Sequence, residues 1–256
     1  MTKLPAALPF VLEREVLIRA PRPLVFSYFT DSARFARWWG EGSTIDPAPG
    51  GRVRIRYPNA VVVTGEVVEI DPPRRIVFTY AYGETPGVDP TLVTIALEPH
   101  ADGTRLRLRH EFSDAKTRDA HVQGWRYQLA VFARLVSEEA LAAAPERVDA
   151  FLAAWSEPDA ARRRELLESC AAKTLVFRDQ FSATDGIDEM LANLEAVRMH
   201  MPGVSLVRAG DVRVVHGTAL VAWTAEKDGA PMGRGTNVVD FDGDGRIVAV
   251  VGFWDK

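Results

Sequence analysis

The chain of 256 residues has a single cysteine, Cys170. One thiol excludes an intrachain disulfide and any cysteine-based zinc cluster, and it fits a reducing compartment. Long apolar runs are missing too. No segment approaches the ~18 apolar residues of a membrane span. Met1–Leu12 is interrupted by Lys3, Pro5 and Pro9, so it lacks the apolar stretch of ~7–15 residues of a secretory signal. A cytoplasmic protein with no membrane partner is the expectation. Excess charge is small: the formal net charge is −4 and the pI is near 5.8. Neither creates an overall pull towards nucleic acid, so no nucleic-acid partner is expected.

The remaining composition is that of an ordinary globular protein, with 47% hydrophobic and 26% charged residues. The length exceeds the usual single core of about 100–150 residues. Two domains are therefore expected, 1–142 and 143–256, joined near the alanine-rich stretch before Pro145.

In the first half, alternation of apolar and polar residues predicts strands over Glu13–Ala20, Gly51–Tyr57, Val61–Ile70, Arg75–Tyr82, Thr91–Glu98 and Thr104–Phe112. Pro21-Arg22-Pro23 opens a short helix and Asp31-Ser32 caps a second one that ends at Trp38-Trp39-Gly40. A long helix runs from about Lys116 to Ala142, its stripe including His121, Trp125, Gln128, Leu129 and Phe132. On the last strand His110 shares the covered face with Leu108 and Phe112. The arginine rows 52/54/56 and 105/107/109 fall on the opposite face, where they are either a solvated surface or a docking face for an acidic partner.

In the second half, helices are expected around Val148–Trp155 and up to Cys170. A strand follows over Thr174–Phe181, then a third helix capped near Thr184 or Asp185. Four strands come next, separated by His216-Gly217, Asp228-Gly229 and Asp242-Gly243-Asp244-Gly245. Helices followed by a curled antiparallel sheet predict a cone.

The stretches "IRAPRPLVFSYFTDSARFARWWG", "GEVVEIDPPRRIVFTY", "VTIALEPHADGTRLRLRHEF" and "GWRYQLAVFARL" resemble the activator of heat-shock-protein-90 ATPase homologues, within the START-like helix-grip superfamily that includes polyketide cyclases. In the second half, "FLAAWSEPDAARRRELLESCAAKTLVFRDQFSATDGIDEML" and "GTNVVDFDGDGRIVAVVGFWD" resemble SnoaL-like proteins of the nuclear transport factor 2-like superfamily, which contains the ketosteroid isomerases. Together they imply an α+β chain: a START-like helix-grip domain followed by a nuclear transport factor 2-like cone, each with an apolar cavity. The second resemblance also implies a homodimer through the C-terminal half.

Asp179 is the leading candidate for chemistry. On a strand over Thr174–Phe181 it would share a face with Leu175, Phe177 and Phe181, an acid where an apolar residue is expected, and burial there would suit a general base. The alternative is a strand-end acid that caps the following loop. Resemblance places Asp179 at the isomerases' catalytic base and Asn237, which shares a face with Val239 and Phe241, at their oxyanion-hole acid. The isomerase tyrosine is missing: Phe151 and Trp155 stand where a phenol would be needed. Trp155, Trp223, Trp254, Phe177 and Phe241 are candidate ligand contacts in this half, and Trp38, Trp39, Tyr57, Tyr80, His110, His121 and Trp125 in the first. His200 is a weaker candidate at the end of the third helix. The two histidines His110 and His121 lack a third metal ligand, so neither metal nor cofactor is expected.

Three functions remain open: a binder of small hydrophobic or aromatic molecules, a cofactor-independent isomerase, cyclase or hydratase using Asp179, and a chaperone-partner or regulatory module.

Overall fold

A computed structural model describes residues 8–84 and 90–255. The first seven residues of the segment assessed above for a secretory signal lie outside them. The fold is mixed α+β, and its contacts divide the chain into two compact units, Met1–Val136 and Ser137–Lys256. The division falls within the last turns of a long helix, a little before the join expected near residue 142. Among the described residues, no helix is long and apolar enough to cross a membrane.

The first unit runs β1 (Phe10–Ile18), α1 (Arg22–Ser27), α2 (Ser32–Trp39), β2 (Thr44–Ile45), β3 (Arg52–Arg56), β4 (Val62–Asp71), β5 (Arg75–Tyr82), β6 (Thr91–His100), β7 (Gly103–Phe112) and α3 (Ala115–Ala140). Its seven strands form one antiparallel sheet in the order β1-β7-β6-β5-β4-β3-β2. The sequence places these elements for local reasons. A proline opens the first turn of α1, where its missing N–H costs nothing. The Asp31 carboxylate caps α2 by accepting from Arg34 N–H at 2.9 Å. Alternation puts Ile55, Phe78, Ile95 and Leu108 on the covered face, each at most 1% exposed. α3 meets that face through Trp125, Leu129, Phe132 and Val136.

The arginine row of β7 is not an open positive surface. The register sets Glu13 opposite Arg109 and Glu15 opposite Arg107. Ion pairs follow, Arg105–Glu15 at 3.0 Å, Arg107–Glu98 at 3.0 Å and Arg109–Glu13 at 2.9 Å. Such exposed pairs contribute little stability, but they neutralise the row. On β3, Arg54 likewise pairs with Glu84 at 3.1 Å.

The second unit runs α4 (Ala144–Ala153), α5 (Ala160–Cys170), β8 (Ala171–Arg178), β9 (Ala183–Asp185), α6 (Ile187–His200), β10 (Val204–Arg208), β11 (Arg213–Val215), β12 (Thr218–Lys227), β13 (Ala230–Phe241) and β14 (Ile247–Trp254). The sheet order is β10-β12-β13-β14-β8-β9, with β11 also paired to β12. Two hairpin turns act as their residues dictate: Asp228 and Gly229 have φ of 51° and 77°, His216 and Gly217 51° and 87°. Successive positive φ values are what tight hairpin turns require.

Three expectations are corrected. Five strands follow α6, not four, because Val204–Arg208 and Arg213–Val215 pair separately with β12. The sheet is not wholly antiparallel, since β8 runs parallel to β14. Thr184 and Asp185 do not cap α6; they pair in β9 against β8, and Gly186 is the N-cap. The core of this unit gathers Val148, Phe151, Leu167, Leu175, Met190, Leu194, Val221 and Phe241 between the helices and the sheet.

Candidate functional site

Each unit contains cavities. One in the first unit is about 240 Å³, bordered by Trp39, Tyr57, Tyr80, Tyr82, His121 and Trp125 among others. One in the second unit is about 460 Å³. Ligand pockets generally span about 300–1,000 Å³, so the second has ordinary ligand size.

In the first unit, two of the expected lining residues are elsewhere. Trp38 is core, 3% exposed, edge-to-face with Phe132 and tilted against Trp39. His110 is fully buried behind the cavity wall. Its Nδ1 accepts from Trp125 Nε1 at 2.9 Å, so Nε2 carries the proton and donates to Thr91 Oγ1 at 2.7 Å. Burial, with His121 nearby, holds its imidazole well below the usual range. Both nitrogens are used and the ring is neutral: His110 is a satisfied core histidine. His121 does border the cavity. Its Nδ1 donates to Thr117 carbonyl oxygen at 2.7 Å and its Nε2 lies 3.2 Å from Tyr82 Oη. Tyr57 and Tyr80 share a hydrogen bond of 2.8 Å. Burial raises both phenols, Tyr57 to about 12.

The second cavity is built where β8 ends. Alternation along β8 turns Leu175 and Phe177 inward, but the strand stops at Arg178, one residue short of Asp179. Asp179 therefore lies on the turn and not on an inward strand face, and Phe181 is 74% exposed at the rim. The Asp179 Oδ1 accepts from the backbone N–H groups of Phe181 and Ser182, both at 2.8 Å, and from Ser182 Oγ at 3.2 Å. Its Oδ2 takes the indole N–H of Trp254 at 3.3 Å. The carboxylate thus caps the loop with one oxygen and borders the cavity.

Asn237 reaches the same cavity from β13 and is 5% exposed. Its Oδ1 accepts from Trp223 Nε1 at 2.9 Å, which orients the amide so that Nδ2, unpartnered among the described residues, remains a donor. The indoles of Trp223 and Trp254 stand edge to face, 4.7 Å apart at 82°. Glycines make this crowding possible. A Cβ on Gly235 would overlap the Trp223 ring and the Phe253 carbonyl. A Cβ on Gly252 would lie 3.1 Å from Asn237 Oδ1 and 3.3 Å from Asp179 Cβ. Gly252 of β14 therefore sits between the acid and the amide and lets both approach its backbone.

Phe177, Trp155, Trp223 and Trp254 border the cavity, whereas Phe241 is fully buried in the core beside it. Sequence reasoning missed Ser182 and Asn193. Asn193 had a legible signal. It stands at the i+3 position of the apolar series Met190, Leu194, Val197 on α6, a polar residue on an inward stripe. Among the described residues, its Nδ2 and the Trp155 Nε1 are buried without a hydrogen-bond partner, an arrangement that costs stability. His200, the last residue of α6, also borders the cavity, with Nδ1 donating to Ala196 carbonyl oxygen at 2.7 Å.

The chemistry available is that of one carboxylate acceptor and one amide donor set in aromatic walls. A carboxylate can take a proton from carbon while an amide N–H steadies the developing oxyanion. Among the described residues no three His, Cys, Asp or Glu side chains gather as a metal site requires.

Comparison with known proteins divides along the same line. Residues 19–137 match the family described as Activator of Hsp90 ATPase homolog 1-like protein. No curated protein matches the chain. Among solved structures, a SnoaL-like family protein from Agrobacterium tumefaciens, provisionally an isomerase, is 33% identical over 44% of this chain and 97% of its own, with a TM-score of 0.42; it covers the C-terminal part. A protein from Mesorhizobium loti is 22% identical over 48% of this chain and 94% of its own, TM-score 0.43. The CalU16 protein of Micromonospora echinospora is 24% identical over 53% and 80%, TM-score 0.40.

Proposed function

For a chain whose first half is similar to the activator of Hsp90 ATPase homologue family and whose second half is SnoaL-like, we propose that the second unit binds a small, flat, largely apolar molecule. In this reading the first unit is a START-like helix-grip domain and the second a nuclear transport factor 2-like cone. The cytoplasm is its place of action, and the second unit pairs with a second copy. The observation that carries the reading is the 460 Å³ cavity walled by Trp155, Phe177, Trp223 and Trp254, with Asp179 and Asn237 as its anchoring polar groups. Large aromatic walls with a few oriented polar groups are how proteins hold ring-bearing ligands.

The test uses the full chain. Protein purified under native conditions is examined by native mass spectrometry for retained small molecules, and by thermal shift against a panel of aromatic ketones and lipids. Ala196→Phe fills the cavity from α6, where Ala196 is exposed and borders it. The proposal expects a retained or stabilising ligand in the parent and none in Ala196→Phe. Absence of any ligand in the parent, or equal binding in the filled variant, overturns it.

A second reading is supported by the placement of Asp179 and Asn237 on either side of Gly252. It is an isomerase- or cyclase-type reaction in which Asp179 Oδ2 removes a proton beside a carbonyl whose oxygen receives the Asn237 N–H. Asp179→Asn would then abolish turnover with ligand affinity retained. Unchanged turnover in that variant rules the role out.

A further inference from the structure

The cavity of the first unit has a lining unlike that of the second. Five of its border residues are aromatic, Trp39, Tyr57, Tyr80, Tyr82 and Trp125. Three pairs of these rings meet edge to face: Trp39 meets Tyr57 at 86° and Trp125 at 73°, both 5.6 Å between centroids, and Tyr80 meets Tyr82 at 88° and 5.7 Å. Perpendicular rings around a common space form the walls of a box and not a slot between parallel faces. A flat ring needs a slot; a compact, round group fills a box.

The electrostatics select among round groups. Among the described residues, no lysine, arginine, aspartate or glutamate borders this cavity. The phenols of Tyr57 and Tyr80 stay neutral through the physiological range because burial raises them, and His110 behind the wall stays neutral because burial lowers it. No lysine or arginine on the wall repels a cation, His121 being its one basic side chain, and several aromatic rings present the quadrupole that attracts one. An anion would meet those same rings unfavourably. A strongly hydrated primary ammonium would lose its water shell without a carboxylate to replace it. A quaternary ammonium, round and weakly hydrated, loses least.

We propose that the first unit binds a small quaternary ammonium group in the box formed by Trp39, Tyr57, Tyr80, Tyr82 and Trp125. This site is separate from the cavity of the second unit, and neither proposal depends on the other.

The experiment compares choline with its uncharged isostere, 3,3-dimethylbutan-1-ol, and with ethanolamine, by isothermal titration calorimetry on the full chain. Shape and apolar area are nearly the same in the first two, so their ratio isolates the charge. A cation held by aromatic faces gains ~0.5–2 kcal/mol, so choline should bind about two- to thirty-fold more tightly than the alcohol, and ethanolamine more weakly than choline. Gly124→Lys gives the second arm. Gly124 lies within α3 on the cavity border, and a Cβ there meets nothing within 4 Å, so the variant folds while setting an ammonium beside the box. It should lose choline and keep the alcohol. Tyr82→Leu, at a side chain 57% exposed, should weaken choline with little change in melting temperature. The proposal is overturned if choline fails to bind, if the alcohol binds as well as choline, or if Gly124→Lys leaves choline binding unchanged.

Discussion

Replacing Asp179 by alanine and by asparagine separates the two tasks its carboxylate performs. Oδ1 accepts from two backbone N–H groups and the Ser182 hydroxyl, a side-chain cap on a turn. Oδ2 accepts from the Trp254 indole at 3.3 Å. Asparagine keeps an oxygen for the cap and loses only the acceptor beside Trp254; alanine loses both. Removing a side-chain oxygen that caps backbone N–H groups costs about 1 kcal/mol, within a range of roughly 0.5–2. The indole bond is long and the site half-buried, so its loss adds about 0.5 kcal/mol, the low end for a hydrogen bond. Asp179→Ala should therefore lose about 1.5–2 kcal/mol and Asp179→Asn about 0.5. For a unit of this size those losses lower the melting temperature by roughly 5–10 °C and 1–4 °C respectively, read by scanning calorimetry at fixed pH and protein concentration. Equal melting temperatures for the two variants would refute the capping role. Equal stability together with lost turnover in both would instead leave Asp179 a purely chemical residue.

Other outcomes follow from the same geometry. Asn237→Leu strips the acceptor from the buried Trp223 N–H and should cost roughly 1–3 kcal/mol in a urea titration. Gly235→Ala drives a methyl into the Trp223 ring and the Phe253 carbonyl, and should destabilise by roughly 1–3 kcal/mol or more, with a blue or red shift of tryptophan emission as the indole moves. His110 is held neutral by burial in the folded chain, while the unfolded chain takes up its proton below about pH 6.5. Its contribution is thus complete above that pH and is lost as pH falls towards the depressed folded value, at up to about 1.4 kcal/mol per pH unit. His110→Gln should flatten that part of the stability profile, measured by denaturation between pH 7.5 and 5. Tyr57 is raised to about 12, above its unfolded value of about 10. Stability from it is complete below about pH 10 and lost as pH rises towards 12; absorbance at 295 nm should show fewer early-ionising phenols in the parent than in Tyr57→Phe plus one.

Some residues could be placed from sequence and others could not. Trp125 could be placed because a helical stripe over 26 residues has one way to face a sheet, and Phe177 because alternation along a strand has one inward side. Asp179 could be assigned to the neighbourhood but not to the right surface. Where β8 stops depends on pairing with β9 and β14, and a strand that ends one residue earlier removes the face on which the acid was expected. Phe241 and Trp38 illustrate the same limit. A large apolar side chain on an inward face can border a cavity or fill the core, and neighbours distant in sequence decide which.

The sequence by itself determined the α+β character, the tight turns at Asp228-Gly229 and His216-Gly217, the inward faces of most strands and the presence of one acid and one amide among apolar neighbours. These depend on backbone period, proline and glycine geometry and side-chain polarity, which act over a few residues. Tertiary structure alone decided which indole each polar group would hold, how much empty space remained, and that β8 would lie parallel to β14. It also brought the acid and the amide to one stretch of backbone: Gly252, seventy-three positions along the chain from Asp179, lacks the methyl that would crowd both Asn237 Oδ1 and Asp179 Cβ. Close packing depends on atoms brought together from remote segments, and no local pattern in the chain encodes the distance between them.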